Sequence, residues 1–307
     1  MNTMSSCEEA AQDPLPEIRR PRLVPLRGVP LPDIFLQNWE AVEKFQAKPT
    51  DLLIATYPKA GTTWMQEIVD FILHDGDPVR CRRADMQSRI PFLEFAYSGH
   101  MPSGLDLLAK LASPRVIKTH LPFQLLPKSF LEQKCKMIYC ARNGKDNLVS
   151  FYHFDLMNKL QPDPGSWEGY FQRYLHGNVS YGLWHDHVKG WWESKERFPI
   201  LYIFYEDMKE DPRREILKVM TFLRKELPDA AVDNIVHHTS FQSMKGNPMS
   251  NYSTVPANIF DTSVSSFMRK GEVGDWKNYF TVAQDEAFED DYQRRTRGSA
   301  LRFRTVL

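Results

Sequence analysis

Charge of one sign is not in excess in this 307-residue chain, because lysine plus arginine and aspartate plus glutamate both number 39. A nucleic-acid protein carries a basic surplus or a basic domain. That class is set aside, and any polyanion site has to be a local pocket. Long apolar runs are also missing. No stretch approaches the roughly 18 apolar residues of a membrane-crossing helix, and the N-terminus lacks the apolar core of a secretion signal. Membrane insertion is therefore not expected, and the cytoplasm is the expected location. Cysteine is sparse: Cys7, Cys81, Cys135 and Cys140 show no CxxC spacing. This argues against a zinc site or a disulfide framework and for reduced thiols. His185 with His187, and the pair His237-His238, lack HExxH spacing and nearby cysteines, so no metal is expected.

What is present is an ordinary globular composition, 42% hydrophobic and 25% charged, long enough to bury a sizeable core. Residues 1–33 read as a flexible proline-rich arm, with prolines from Pro14 to Pro32 and no helical or strand period. Residues 34–307 read as one domain. Leu52-Leu53-Ile54-Ala55-Thr56, Val116-Ile117, Met137-Ile138-Tyr139 and Leu201-Tyr202-Ile203-Phe204 are continuous apolar runs, as suits strands of a parallel sheet covered on both faces. Helical stripes lie between them. Met65, Ile68, Val69 and Ile72 form one; Ile216, Leu217, Met220 and Leu223 form another, entered through Asp211-Pro212. Strands alternating with helices predict an α/β fold with a central, mostly parallel sheet flanked by helices.

The first buried run leads straight into Pro58-Lys59-Ala60-Gly61-Thr62-Thr63, and an amphipathic stretch follows. Strand, tight loop and helix present backbone N–H groups and the positive helix end to a phosphate. Gly61 permits close backbone approach, Thr62 and Thr63 add hydroxyls, and Lys59 adds charge. The loop is P-loop-like without being a Walker A motif, whose lysine follows its second glycine; here the lysine precedes the glycine. A Mg-ATP enzyme is the weaker reading, and a nucleotide-binding protein without turnover is the other alternative.

Tyr57-Pro58-Lys59-Ala60-Gly61-Thr62-Thr63-Trp64 resembles the 5′-phosphosulfate loop of the cytosolic sulfotransferases. Further segments fit that family in the same order: Lys118-Thr119-His120-Leu121-Pro122, Ala141-Arg142-Asn143-Gly144-Lys145-Asp146, Ser150-Phe151-Tyr152-His153-Phe154, Phe204-Tyr205-Glu206-Asp207, His238-Thr239-Ser240-Phe241 and Phe267-Met268-Arg269-Lys270-Gly271. The match spans roughly residues 35–303 and is nearest to family 1, the phenol type.

The resemblance implies transfer of a sulfuryl group from 3′-phosphoadenosine 5′-phosphosulfate (PAPS) to a small, mostly phenolic or hydrophobic hydroxyl or amine acceptor. It places the 5′-phosphosulfate on Lys59 to Thr63. Adenine lies between Trp64 and Phe241, with Thr239 and Tyr205 bonded to the base and Ser240 and Met244 in the same site. The 3′-phosphate lies on Arg142, Ser150, Arg269, Lys270 and Gly271, and Phe267 and Met268 form that wall. Ala60 stands where many relatives have serine. Lys277, Thr281, Val282 and Glu286 resemble the family's short homodimer motif.

His120 is the expected general base. It follows an apolar strand and so belongs at the strand's carboxyl end, where ligands of open α/β sheets gather. Lys118, two residues earlier and on the same strand face, joins Lys59 in stabilising charge on the transferring group and leaving phosphate. His153 is a weaker rival for the base. The acceptor pocket is expected to be apolar, with Lys118, Thr119, His120, Phe35, Phe92, Phe154 and Tyr252 as its main contacts and Phe95 and Phe260 as further candidates.

Overall fold

A computed structural model describes residues 18–97 and 102–307; Cys7 lies outside them. Its centre is a four-stranded parallel sheet of β3 (Leu52–Thr56), β4 (Val116–Thr119), β5 (Lys136–Ala141) and β6 (Ile200–Phe204), in the order β4-β3-β5-β6. These are the four apolar runs of the sequence. Their continuity has a simple cause. Leu53 and Ala55 of β3, with Met137, Tyr139 and Ala141 of β5, face one core, while Leu52 and Ile54, with Ile138 and Cys140, face a second. With both faces buried, neither set of alternate residues is polar.

Helices cover both faces. Helix Thr62–Leu73 buries Met65, Ile68, Val69 and Ile72 in the second core. Helix Pro212–Leu223 starts at Asp211, whose carboxylate accepts the Arg214 amide at 2.9 Å, with proline at its first position. Its stripe needs one correction. Ile216, Val219 and Met220 face inward, whereas Leu217 is 41% exposed, because the 3.6-residue period brings 219, not 217, onto the face of 216 and 220. On the opposite side, Trp191 of helix Trp184–Ser194 stacks on Tyr139 of β5, ring centroids 5.2 Å apart.

The proline-rich stretch also differs from expectation. From residue 18 on it belongs to the fold: β1 (Leu23–Leu26) and β2 (Val29–Pro32) pair antiparallel around a turn at Arg27 and Gly28, with Pro25 opposite Pro30. A two-stranded ribbon has only edges, and proline is tolerated on an edge, where a missing N–H costs no ladder bond. Leu31 is buried, and the Tyr181 amide donates to Pro30 O at 2.9 Å, so the hairpin is docked on the domain.

Below the sheet, at its amino edge, Arg115 grips Asp51 through Nε–Oδ1 (3.0 Å) and Nη2–Oδ2 (2.5 Å), both side chains buried. The pair precedes β3 and β4 and fixes their common start, where the Leu52 amide donates to Arg115 O at 2.9 Å. Removing one partner strands the other charge away from water. Arg115→Ala should therefore cost about 3–5 kcal/mol, measured as a loss of unfolding free energy in urea titration.

Candidate active site

All four parallel strands end on one level. Ala55 pairs with Thr119, Thr56 with Cys140 and Ala141 with Phe204. The residues that follow, the 57–63 loop, His120, Arg142 and Tyr205, are thus set side by side along the carboxyl edge. They open on a cavity of about 390 Å³, as expected where the winding direction of an α/β sheet reverses.

The loop after β3 is tightly bent. Lys59 has φ +66° and Gly61 +95°, and a Cβ on Gly61 would stand 2.8 Å from the Tyr205 ring. Only glycine fits there. Asn147 Nδ2 donates to Pro58 O (2.8 Å) and Arg142 Nη1 to Lys59 O (3.3 Å), fixing the bend. No side chain caps helix Thr62–Leu73 at its start, so its first-turn amides and its positive end are left to an anion. Ala60 is a correction: it does not line the cavity. Its amide closes the turn on Tyr57 O (3.3 Å), and its carbonyl accepts the Cys140 thiol (3.1 Å).

His120 is fixed by four hydrogen bonds, one of them between its Nδ1 and Thr56 Oγ1 at 3.0 Å. Its Nδ1 lies 2.9 Å from the Thr56 carbonyl. A carbonyl only accepts, so Nδ1 carries the proton and Nε2 keeps its lone pair. The His120 amide donates to Glu94 Oε1 (2.7 Å), and the His120 carbonyl accepts from His187 Nε2 (2.8 Å). That carbonyl puts the His187 proton on Nε2, so His187 Nδ1 accepts from the Tyr139 hydroxyl (2.8 Å). Loss of water, reinforced by the Lys118 charge, holds His120 well below its ordinary range. The imidazole is neutral and able to accept a proton at neutral pH. His153 does not line the cavity and packs against Tyr279, ring centroids 5.1 Å apart.

Two lysines flank this base. Lys59 Nζ lies over the rings of Phe154 (4.3 Å) and Phe267 (4.1 Å), and Lys118 Nζ over Phe92 (4.2 Å). Desolvation, then the nearby Lys118 and Arg142 charges, pull Lys59 down to about 7; desolvation brings Lys118 to about 8 against the opposing pull of Glu94. Glu94 itself is pushed up to about 7 by burial.

The rest of the cavity has two halves. Phe35, Phe92, Phe95, Tyr181, Tyr252 and Phe260 give an apolar half beside His120; Phe92 and Tyr181 stand edge-on to the imidazole at 5.1 and 5.5 Å. Trp64, Ser150, Tyr205, Thr239, Ser240, Phe241, Met244, Phe267, Met268, Arg269, Lys270 and Gly271 line the other half, with Arg142 over the Tyr205 ring at 4.5 Å. A Cβ on Gly271 would fall 2.3 Å from the Phe241 ring, so its bare backbone lets two walls meet.

Some expected contacts are already occupied. Thr119 does not line the cavity: its side chain points to the opposite face from Lys118, where its hydroxyl donates to Glu94 Oε2 (2.8 Å). The Thr239 hydroxyl donates back to Ile235 O (2.7 Å), and Ser240 Oγ caps helix Phe241–Lys245. Arg269 Nη2 and Lys270 Nζ both reach Asp275, each at 2.5 Å. Glu94, Tyr181 and Asp155 are not singled out by the sequence, and His187 only as a metal ligand set aside. Asp155 lies beneath the apolar half, one oxygen accepting the Tyr170 hydroxyl (2.9 Å), and burial drives its carboxyl well up.

A bare helix start, a neutral histidine and cations that bond no carboxylate among the described residues thus meet at one cavity, an arrangement suited to an enzyme that moves a group from an anionic donor to a small acceptor. A sulfotransferase-domain profile matches residues 49–300. Sulfotransferase 1B1 of Canis lupus familiaris is 54% identical over 288 residues, 94% of this chain and 97% of that protein. Sulfotransferase 1C2 of Rattus norvegicus is 53% identical over 94% of this chain and 97% of its own length. A mouse sulfotransferase (SULT7A1) complexed with PAP superposes with TM-score 0.73 at 30% identity, covering 91% of this chain and 96% of that one. Retinol dehydratase superposes with TM-score 0.81 at 24% identity, covering 90% and 89%, a likeness of fold. The chain belongs to the sulfotransferase family and is a sulfotransferase that uses PAPS as co-substrate.

The shifted lysines predict a pH dependence. An anion favours the charged ammonium, so the folded protein binds it best while Lys59 and Lys118 are protonated. Affinity for adenosine 3′,5′-bisphosphate should be full below about 7 and fall as pH rises through 7 and 8. Calorimetric titration at a series of pH values measures this; affinity that is flat from pH 6 to 9 would show that neither lysine titrates in that range.

Proposed function

We propose that this sulfotransferase transfers the sulfuryl group by in-line attack of a phenol-type hydroxyl, with His120 as general base and Lys59 and Lys118 as its electrostatic partners. The observation that carries this is the His120 Nε2 lone pair at a cavity that also holds two half-buried lysines with no carboxylate bonded to them among the described residues. His120 takes the hydroxyl proton as the acceptor oxygen bonds to sulfur. The bond between sulfur and the 5′-phosphate oxygen breaks, and adenosine 3′,5′-bisphosphate leaves with the electron pair. Negative charge grows on that phosphate oxygen, and Lys59, Lys118 and the amides after Gly61 stabilise it in this reading. The apolar half holds the acceptor, and its aromatic walls suit flat phenolic rings. The half with Arg142, Ser150, Arg269 and Lys270 holds the 3′-phosphate, and Trp64 and Phe241 hold adenine.

Incubation with PAPS, a panel of small phenols and EDTA tests the reading; no transfer to any acceptor would sink it. His120→Ala should lower kcat by about 10²–10⁴ and leave affinity for the nucleotide product unchanged. Full turnover by that variant would move the base elsewhere.

The protein works as a homodimer in the cytoplasm in this reading. Lys277, Thr281, Val282 and Glu286 are all exposed, and Val282 is 77% exposed at the start of helix Val282–Thr296. What supports the dimer is that all four positions of the motif resembling the family's dimer contact lie open on the surface, where a small self-complementary contact can form. Val282→Glu should shift the sedimentation coefficient to that of a monomer at micromolar protein, with the far-ultraviolet circular dichroism unchanged.

A further inference from the structure

Arg20 lies outside the cavity and outside every motif of the nucleotide site, yet its guanidinium is placed on one short piece of chain. The two Nη1 hydrogens are shared among the carbonyls of Asp155 (2.7 Å), Asn158 (3.1 Å), Gln161 (3.0 Å) and Pro162 (3.3 Å), and Nη2 donates to that of Leu156 (2.9 Å). These carbonyls close helix Gly144–Met157 and the turn beyond it. The last carbonyls of a helix have no intrahelical partner, and the helix dipole makes that end negative. One planar cation answers both needs, and its fixed fork gathers several acceptors where an ammonium holds fewer.

The gathered piece is one wall of the apolar half. Phe154, Asn158, Leu160 and Gln161 line the cavity. Its outer edge is tied to the neighbouring wall, the Lys159 amide donating to Ile259 O (2.9 Å) and the Asp261 amide to Met157 O (2.9 Å). Ile259 and Phe260 line the cavity as well. Arg20 holds the inner edge. We propose that Arg20 is a positioning residue for the acceptor: it touches neither substrate, but fixes the 155–162 turn so that its side chains and the 259–260 segment present one formed wall. This rests on the reading that the apolar half holds the acceptor. It also gives the stretch before the hairpin a part in substrate binding, because that stretch delivers Arg20.

The test separates acceptor from donor. Arg20→Lys keeps the charge near Asp155 and loses the fork; Arg20→Ala loses both. Initial rates with a phenol panel should show the acceptor KM raised several-fold in Arg20→Lys and roughly tenfold or more in Arg20→Ala. Affinity of Arg20→Lys for adenosine 3′,5′-bisphosphate should match the unsubstituted protein. Unchanged acceptor KM in both variants overturns the proposal, as does an equal loss of acceptor and nucleotide binding in Arg20→Lys. An Arg20→Ala that does not fold, beside an Arg20→Lys with unchanged acceptor KM, makes the residue purely structural and also overturns it. If the unsubstituted protein sulfonates no phenol, the proposed acceptor reading fails instead, and the two failures are distinct.

Discussion

Positive charge drawn partly out of water, with no carboxylate bonded to it, is the constraint that the rest of the site answers. Among the described residues, Lys59, Lys118 and Arg142 form no ion pair; each lies over aromatic rings instead. A cation over a ring gains roughly 0.5–2 kcal/mol, whereas withdrawing a charge from water costs several. The rings therefore offset only part of the cost. The remainder is visible in the lysines, both pulled below their ordinary range. A site left in that condition is completed by an anion, and the same field that binds the anion acts on charge that develops during transfer.

The same constraint explains how the base is kept. Burial first, and then the Lys118 charge beside it, disfavour the His120 cation, so the imidazole stays neutral and available. Neutrality alone does not fix which nitrogen is free. The Thr56 carbonyl does that, and Thr56 ends the strand that leads into the phosphate loop. Orientation of the base and placement of the loop thus depend on the same residue. The hydroxyl of Thr56 extends the link, lying 2.7 Å from Thr62 Oγ1 in the first turn of the following helix. Glu94 and His187 then lock the His120 backbone from either side.

Much of this was legible in the residues. Strands buried on both faces read as unbroken apolar runs, and a lysine before Gly-Thr-Thr after such a run has few uses other than an anion. What stayed hidden depends on register and on partners far along the chain. Glu94 belongs to no periodic pattern; it reaches His120 because Phe92 bridges to Lys118 beside β4. Thr119 looked like a site residue by position, but alternation along the strand turned it away. The hairpin at 23–32 was masked by its own prolines, since proline density reads as disorder unless the stretch is a ribbon with free edges. Arg20 carried no signal at all. Its five acceptors are backbone carbonyls, and carbonyls leave no trace in composition.

Arginines and lysines among the described residues differ in whether a carboxylate matches them, and at the cavity the difference follows the proposed chemistry. Arg115 is matched to Asp51, Arg89 to Glu67 and Asp70, and Arg269 with Lys270 to Asp275. Lys59 and Lys118, at the proposed 5′ end of the cavity, bond no carboxylate among the described residues. In the proposed arrangement the 3′-phosphate therefore exchanges partners with Asp275, a trade of one charge-assisted contact for another with small net gain. It contributes recognition of the second phosphate more than affinity. The 5′ end has no internal anion to displace, so its gain on binding is larger. Its charges are also held in place before the leaving phosphate develops its own, so no reorganisation is needed as transfer proceeds. Binding strength and rate acceleration are thereby concentrated at Lys59 and Lys118, around the one bond that breaks.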